Sequence, residues 1–190
     1  MEIHQLIIQK ILDSEWKMFR SVRSATPASC QNSPDTFRKI RASIYDCWTE
    51  EMLESYLTDL KLAEEKGRNL ITEKYARMDN LIPPLSHHPM IEKIVEIEAG
   101  WQLEIKKRYP VLYDKTCRGT DPTGDGSNFS IYLRSELETY GDNTIELYYK
   151  NVKKADDRKE NLALLMLEQL VKQSGYNDAA HAERILSSRR

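Results

Sequence analysis

Apolar residues recur at three- and four-residue steps along most of this chain, and they almost never alternate over the length of a strand. That is the helical period. The clearest stretch runs from Leu53 to Met78, with Leu53, Tyr56, Leu57, Leu60, Ala63, Leu70, Ile71 and Tyr75 on one side. Thr49 followed by Glu50 and Glu51 opens it, a hydroxyl cap with acids in the first turn. Gly67 interrupts it, and Asn69 supplies a cap for a second helix. The same period predicts helices over 2–23, 35–47, 90–109 and 129–140, from Asp142 to about Arg158, and over 161–173. Ser33 before Pro34 reads as a cap with proline at the first helical position. Pro110 stops one helix, and Gly175 ends the last, with a polar tail after it. Residues 80–89, NLIPPLSHHP, form a linker that cannot continue a helix. The segment from Cys117 to Asn128 reads as a loop. The expectation is one all-α domain over 1–190, with about eight helices.

The two sides of that linker align with each other. The 92 residues separating Phe37 from Phe129 also separate Ser43 from Ser135, Glu54 from Glu146, Tyr56 from Tyr148, Ala63 from Ala155 and Asn69 from Asn161. Trp48 falls opposite Tyr140, and Leu60 opposite Val152. A shift of 83 sets Lys10, Ile11 and Glu15 opposite Lys93, Ile94 and Glu98. This predicts an internal duplication, with repeats over about 1–80 and 90–176 forming two pseudo-equivalent sets of four helices packed face to face. Two unrelated amphipathic helices would also align in part.

Composition narrows the function classes. Charged residues are 31% and hydrophobic ones 40%, the balance of a helical globular protein. A net charge of −2 gives no basic field for nucleic acid. No apolar run approaches 18 residues, so no membrane span is expected, and the acidic N-terminus reads as the first helix and not a signal peptide. Three cysteines, Cys30, Cys47 and Cys117, have no short paired spacing, which fits a reducing cytoplasm.

Several residues could carry chemistry. Glu15 and Glu98 lie on largely apolar helices, each close before a tryptophan, Trp16 or Trp101. A carboxylate so placed has a raised pKa and can act as acid or base, unless an arginine or amide neutralises it. With Glu54 and Glu146 they would make four acids from four helices, but the Glu-x-x-His pattern of a two-metal bundle site is missing and no metal is expected. Cys30, ahead of a helix start, is a candidate nucleophile without an adjacent histidine. The sharpest signal is a difference between the repeats. Glu73, Lys74 and Arg77 stand where the second copy has Leu165, Met166 and Gln169. Lys74 falls on the apolar face of its helix, where it either pairs with an acid, with Glu15 or Glu98 the first choice, or snorkels to solvent with its stem over Leu70 and Tyr75. Lys74 and Arg77 together would hold an anionic small molecule, with Asn69, Tyr75 and Asn161 beside them. As an alternative, both asparagines serve only as helix caps. There is no Gly-rich phosphate loop, no Cys-x-x-Cys pair and no nucleophile elbow, so the cofactor stays open.

The strings ASCQ at Ala28 to Gln31, TFRKIR at Thr36 to Arg41, ESYLTDL at Glu54 to Leu60, GRNLITEKYARM at Gly67 to Met78 and ENLALLMLEQLVK from Glu160 resemble an uncharacterised, mostly bacterial family of unknown function. The resemblance spans nearly the whole chain, and GRNL-x-TEKYARM is its most specific part. It implies a compact cytoplasmic protein and no established activity. Two functions therefore stand side by side. One is a binder of an anionic metabolite, or an enzyme, with a polar site between the two halves. The other is a helical interaction module, such as a homodimer, without catalysis.

Overall fold

The computed structural model describes residues 3–22, 33–120 and 128–188. Among them it contains ten α-helices and no strand. They are α1 (Ile3–Arg20), α2 (Pro34–Tyr45), α3 (Glu50–Glu65), α4 (Leu70–Met78), α5 (Met90–Arg108), α6 (Pro110–Thr116), α7 (Phe129–Leu137), α8 (Asp142–Asp157), α9 (Leu162–Gln173) and α10 (Ala179–Ser187). Ten exceeds the expected count of about eight because of α6 and α10. Pro110 ends α5 and also starts α6, since its fixed φ suits a first helical position. Asp178 accepts from the His181 amide and caps α10 within what reads as a polar tail. The two extra helices pack on each other.

Helix boundaries follow from local chemistry. Thr49 caps α3, accepting from the Met52 amide at 3.3 Å. At the other end of α3, Gly67 takes φ +66°. Its amide donates to Glu64 O and the Arg68 amide to Ala63 O, a Schellman closure that favours glycine. The end of α8 is built the same way, 92 residues on. Lys159 takes φ +57°, and the Lys159 and Glu160 amides donate to Asp156 O and Ala155 O. Asn69 and Asn161 both cap, each accepting at 2.9 Å, from Thr72 N and Leu164 N. Ser33 precedes Pro34, but its side chain makes no capping bond.

The packing places the site. α1 lies against α2, α3 and α4, and α5 lies against α7, α8 and α9. α3 and α8 pack on each other at the middle. α4 reaches across to α7, and α2 across to α9. Buried aromatic rings from both groups meet at the centre: Trp48, Tyr56, Tyr140 and Tyr148 are all within contact range, with Tyr56 and Tyr140 centroids 4.7 Å apart.

Candidate functional site

A helical core leaves no room for an unpaired charge, and the centre of this one holds several polar groups. Glu15 on α1 is 1% exposed. Arg41, one helix away on α2, grips it with Nε at 3.0 Å and Nη2 at 2.5 Å. The hydroxyls of Tyr45 and Tyr56 donate to the same carboxylate at 2.6 and 2.8 Å. Arg41 also reaches Glu136 on α7 through Nη1 at 2.7 Å. Glu136 in turn pairs with Lys74 Nζ at 2.7 Å and accepts from Tyr140 at 3.0 Å. Two cations and two carboxylates thus balance. Burial alone would push Glu136 toward its neutral form, but Arg41 and Lys74 outweigh burial and hold it well below the usual carboxylate range. Burial likewise works against the Lys74 charge, and Glu136 overcomes it, so the ammonium pKa is raised.

Beside this network a cleft of about 610 Å³ opens between α2 and the helices α5 to α9. Glu98 on α5 faces it. It accepts from Tyr148 at 2.7 Å, as Glu15 accepts from Tyr56. Among the described residues no cation pairs with it. Burial pushes its pKa up to about 7, with the Tyr148 hydrogen bond pulling down and the Glu136 charge adding to the rise. Its side chain keeps intermediate exposure because it lines the cleft. Trp48 meets Tyr140 and Tyr148 at 75° and 77°, so these rings wall a corner and do not stack. Gln102, one turn after Glu98 on the same helix face, is 5% exposed. Its Oε1 is buried without a hydrogen-bond partner. Cys47 and Cys117 also line the cleft. Burial, with Asp46 and Glu98 adding, pushes the Cys47 thiol up to about 11, and burial raises Cys117 despite a hydrogen bond with Thr116. Both are therefore neutral thiols at pH 7 and poor nucleophiles.

A family model described as protein of unknown function (DUF4125) matches residues 5–184. The chain belongs to that family. No curated protein and no solved structure matches it.

In this DUF4125 chain the residues singled out from the sequence separate into distinct places. Of the candidate site residues that the structure describes, Glu98 lines the cleft. Glu15 sits behind it, closed off by Arg41. Lys74 is buried and paired, but its partner is Glu136 and not Glu15 or Glu98, because α4 crosses onto α7. Its Nζ also lies 3.7 Å from the centroid of the Tyr132 ring. Arg77 forks onto Glu138 at 2.5 and 3.1 Å and donates to Ile82 O, which ties down the start of the linker. Tyr75 lies near Phe19, with ring centroids 6.5 Å apart. Asn69 and Asn161 are caps whose amides reach back to the Met18 and Trp101 carbonyls at 2.9 and 3.1 Å. Cys30 lies outside the described residues. Glu54 and Glu146 are exposed, and among the described residues no group of three metal-ligating side chains converges. Among the described residues no helix is long and apolar enough to cross a membrane.

Sequence reasoning did not find Glu136, Arg41, Tyr148 or Gln102 as site members. The signal was present for two of them. The shifts that pair Glu15 with Glu98 and Tyr56 with Tyr148 also set Arg41 opposite Leu133. Arg41 neutralises Glu15, and among the described residues no cation neutralises Glu98.

Proposed function

We propose that this protein binds a small organic molecule in the cleft between α2 and the second group of helices, with Glu98 and Tyr148 placed to exchange a proton with it. The observation that carries the reading is Glu98 itself. It is a half-buried carboxyl without a basic partner among the described residues, hydrogen-bonded to a tyrosine, on the wall of a cleft of ligand size. A pKa of about 7 suits proton transfer near neutrality. The expected anionic metabolite finds weaker support, because Lys74 and Arg77 already carry carboxylates of their own chain.

The internal duplication supports the same reading. Matching hydrogen bonds favour it: Tyr56 to Glu15 and Tyr148 to Glu98, Asn69 to Met18 O and Asn161 to Trp101 O. So do the matched left-handed residues Gly67 and Lys159. On this view the first copy fills its centre with Arg41, and the second keeps Leu133 there and stays open. The free thiols Cys47 and Cys117 suit a reducing compartment such as the cytoplasm.

The test is a ligand-observed NMR screen of small fragments against the wild type and Ala163→Trp, which fills the cleft from α9. Fragments that bind the wild type and lose binding to the filled variant support the reading. A screen without hits, or hits indifferent to the filling, overturns it.

A further inference from the structure

Resting on the cleft as a ligand site, we infer that its ligand carries a protonated amine, seated between the Glu98 carboxylate and the Gln102 amide oxygen. Glu98 and Gln102 stand four residues apart on α5, so their side chains are neighbours on one helix face. Gln102 Oε1 is an acceptor, buried and unpartnered, and a buried acceptor in that condition is costly until a donor arrives. The carboxylate of Glu98 takes one hydrogen bond, from Tyr148, and has acceptor capacity to spare. Both groups therefore call for N–H donors.

Lys115 and Arg118 are exposed at the rim of the cleft, and in its buried part the charge balance calls for a cation. Arg41 and Lys74, the buried cations nearby, are each answered by a carboxylate, Glu15 or Glu136. Adding an ionised Glu98 leaves the interior one negative charge in excess. An anion would add to that excess, and a neutral ligand would leave it. A protonated amine cancels it. The walls agree, since Trp48, Tyr140 and Tyr148 present aromatic surfaces at near right angles, and aromatic faces attract cations. The far side of the cleft, Leu162, Ala163, Met166 and Leu167 on α9, suits an apolar body behind the amine.

The charged and titratable groups around Glu98 come from every helix packed on α5. α8 supplies Tyr148, and α7 supplies Glu136 and the following Tyr140. Arg41 and Cys47 come from α2 and just beyond it, while α6 and its end bring Lys115, Cys117 and Arg118. α9 lines the cleft with apolar residues alone. Among the described residues no histidine lines the cleft, so between pH 6 and 8 Glu98 is the titrating group of its described wall. An amine stays protonated across that range while Glu98 passes from acid to carboxylate. Binding should therefore tighten as pH rises.

The test titrates four probes of one shape into the full chain: phenethylammonium, its N-trimethylated analogue, phenethyl alcohol and 3-phenylpropionate. Calorimetry gives affinity, and fluorescence of Trp48 and Trp101 reports occupancy of the cleft. Phenethylammonium should bind best, about tenfold more tightly at pH 8 than at pH 6, as the competent carboxylate goes from a minor to the major form. Glu98→Gln should remove that pH dependence. Gln102→Leu should weaken the primary ammonium more than the trimethylated analogue, which has no N–H to donate. Equal or better binding of the alcohol or the carboxylate, without pH dependence, overturns the amine while leaving the cleft reading standing. A trimethylated analogue that binds as well as the primary ammonium overturns the role of Gln102. Silence from all four probes overturns the amine, and the fragment screen then judges the cleft by itself.

Discussion

The Tyr148 hydroxyl donates to Oε1 of Glu98 at 2.7 Å, and among the described residues that bond is the carboxylate's one polar restraint. Glu15, by contrast, has two tyrosines and an arginine fork. The contrast sets the sign of a pH effect. Glu98 has a folded pKa of about 7 against an ordinary 4.5. Its contribution to stability is complete below the ordinary value and fades as pH rises through 7, where an ionised, poorly solvated carboxylate counts against the fold. Glu98→Gln lacks that liability. The variant should gain on the wild type by up to about 3 kcal/mol at pH 8, with the gap closing toward pH 5. Urea unfolding at both pH values measures it, and a pH-independent difference would show that Glu98 titrates as an ordinary surface acid.

Tyr148→Phe moves the same group the other way. The hydroxyl favours the ionised form, so its loss should carry the Glu98 pKa above 7. Carbon-13 NMR of the glutamate side chains follows the titration directly. A midpoint unchanged or lowered in the variant would mean that the hydrogen bond does not act on the charge.

Most of the helices were legible because their faces are periodic. The breaks at Gly67 and Asn69 were legible because caps are local chemistry. α6 and α10 were not, since each is short and they are buried mainly through contact with each other and with α5 and α9. Periodicity tells which face of a helix is inward and says nothing of what it meets there. Lys74 was correctly read as a buried lysine in need of an acid, yet Glu136 as the acid depends on α4 crossing to α7, a tertiary fact. Glu15 and Glu98 look alike in sequence and differ through Arg41 and Tyr45, 26 and 30 residues from Glu15 along the chain.

That pairing predicts the cost of Lys74→Met. Removing the ammonium leaves Glu136 to Arg41 alone, and Arg41 already serves Glu15. The single substitution should destabilise by about 3 kcal/mol, as breaking a buried pair does. Lys74→Met with Glu136→Gln restores the balance of one cation to one carboxylate and should recover most of the loss. A double variant no more stable than the single would show that the network does not depend on charge balance.

The capping asparagines do two jobs, and the second separates them from ordinary caps. Asn161 Oδ1 accepts from Leu164 N while Nδ2 donates to Trp101 O at 3.1 Å and Glu104 Oε2 at 3.0 Å. At a simple cap Asp replaces Asn without loss. Here Asn161→Asp keeps the cap and turns an anionic oxygen toward two acceptors. It should cost about 2 kcal/mol, comparable with Asn161→Ala. Thermal unfolding compares the two, and an Asp variant as stable as wild type would assign the asparagine to capping alone.

Leu133→Arg tests the relation between the two halves together with the site. Leu133 is 7% exposed on the cleft wall, and the 92-residue shift places it opposite Arg41. If the halves share a backbone, an arginine there meets Glu98 as Arg41 meets Glu15, through the space the cleft now provides. The Glu98 pKa should then fall from about 7 into the ordinary carboxylate range. The wild-type loss of stability between pH 5 and pH 8 should then disappear, because a group with the same pKa folded and unfolded contributes no pH dependence. Binding of any cleft ligand should be lost, since guanidinium fills the space and cancels the charge. Leu133→Gln, of similar length and without charge, controls for filling alone and should leave the Glu98 pKa raised. A folded Leu133→Arg protein whose Glu98 still titrates near 7 would break the proposed equivalence of positions 41 and 133.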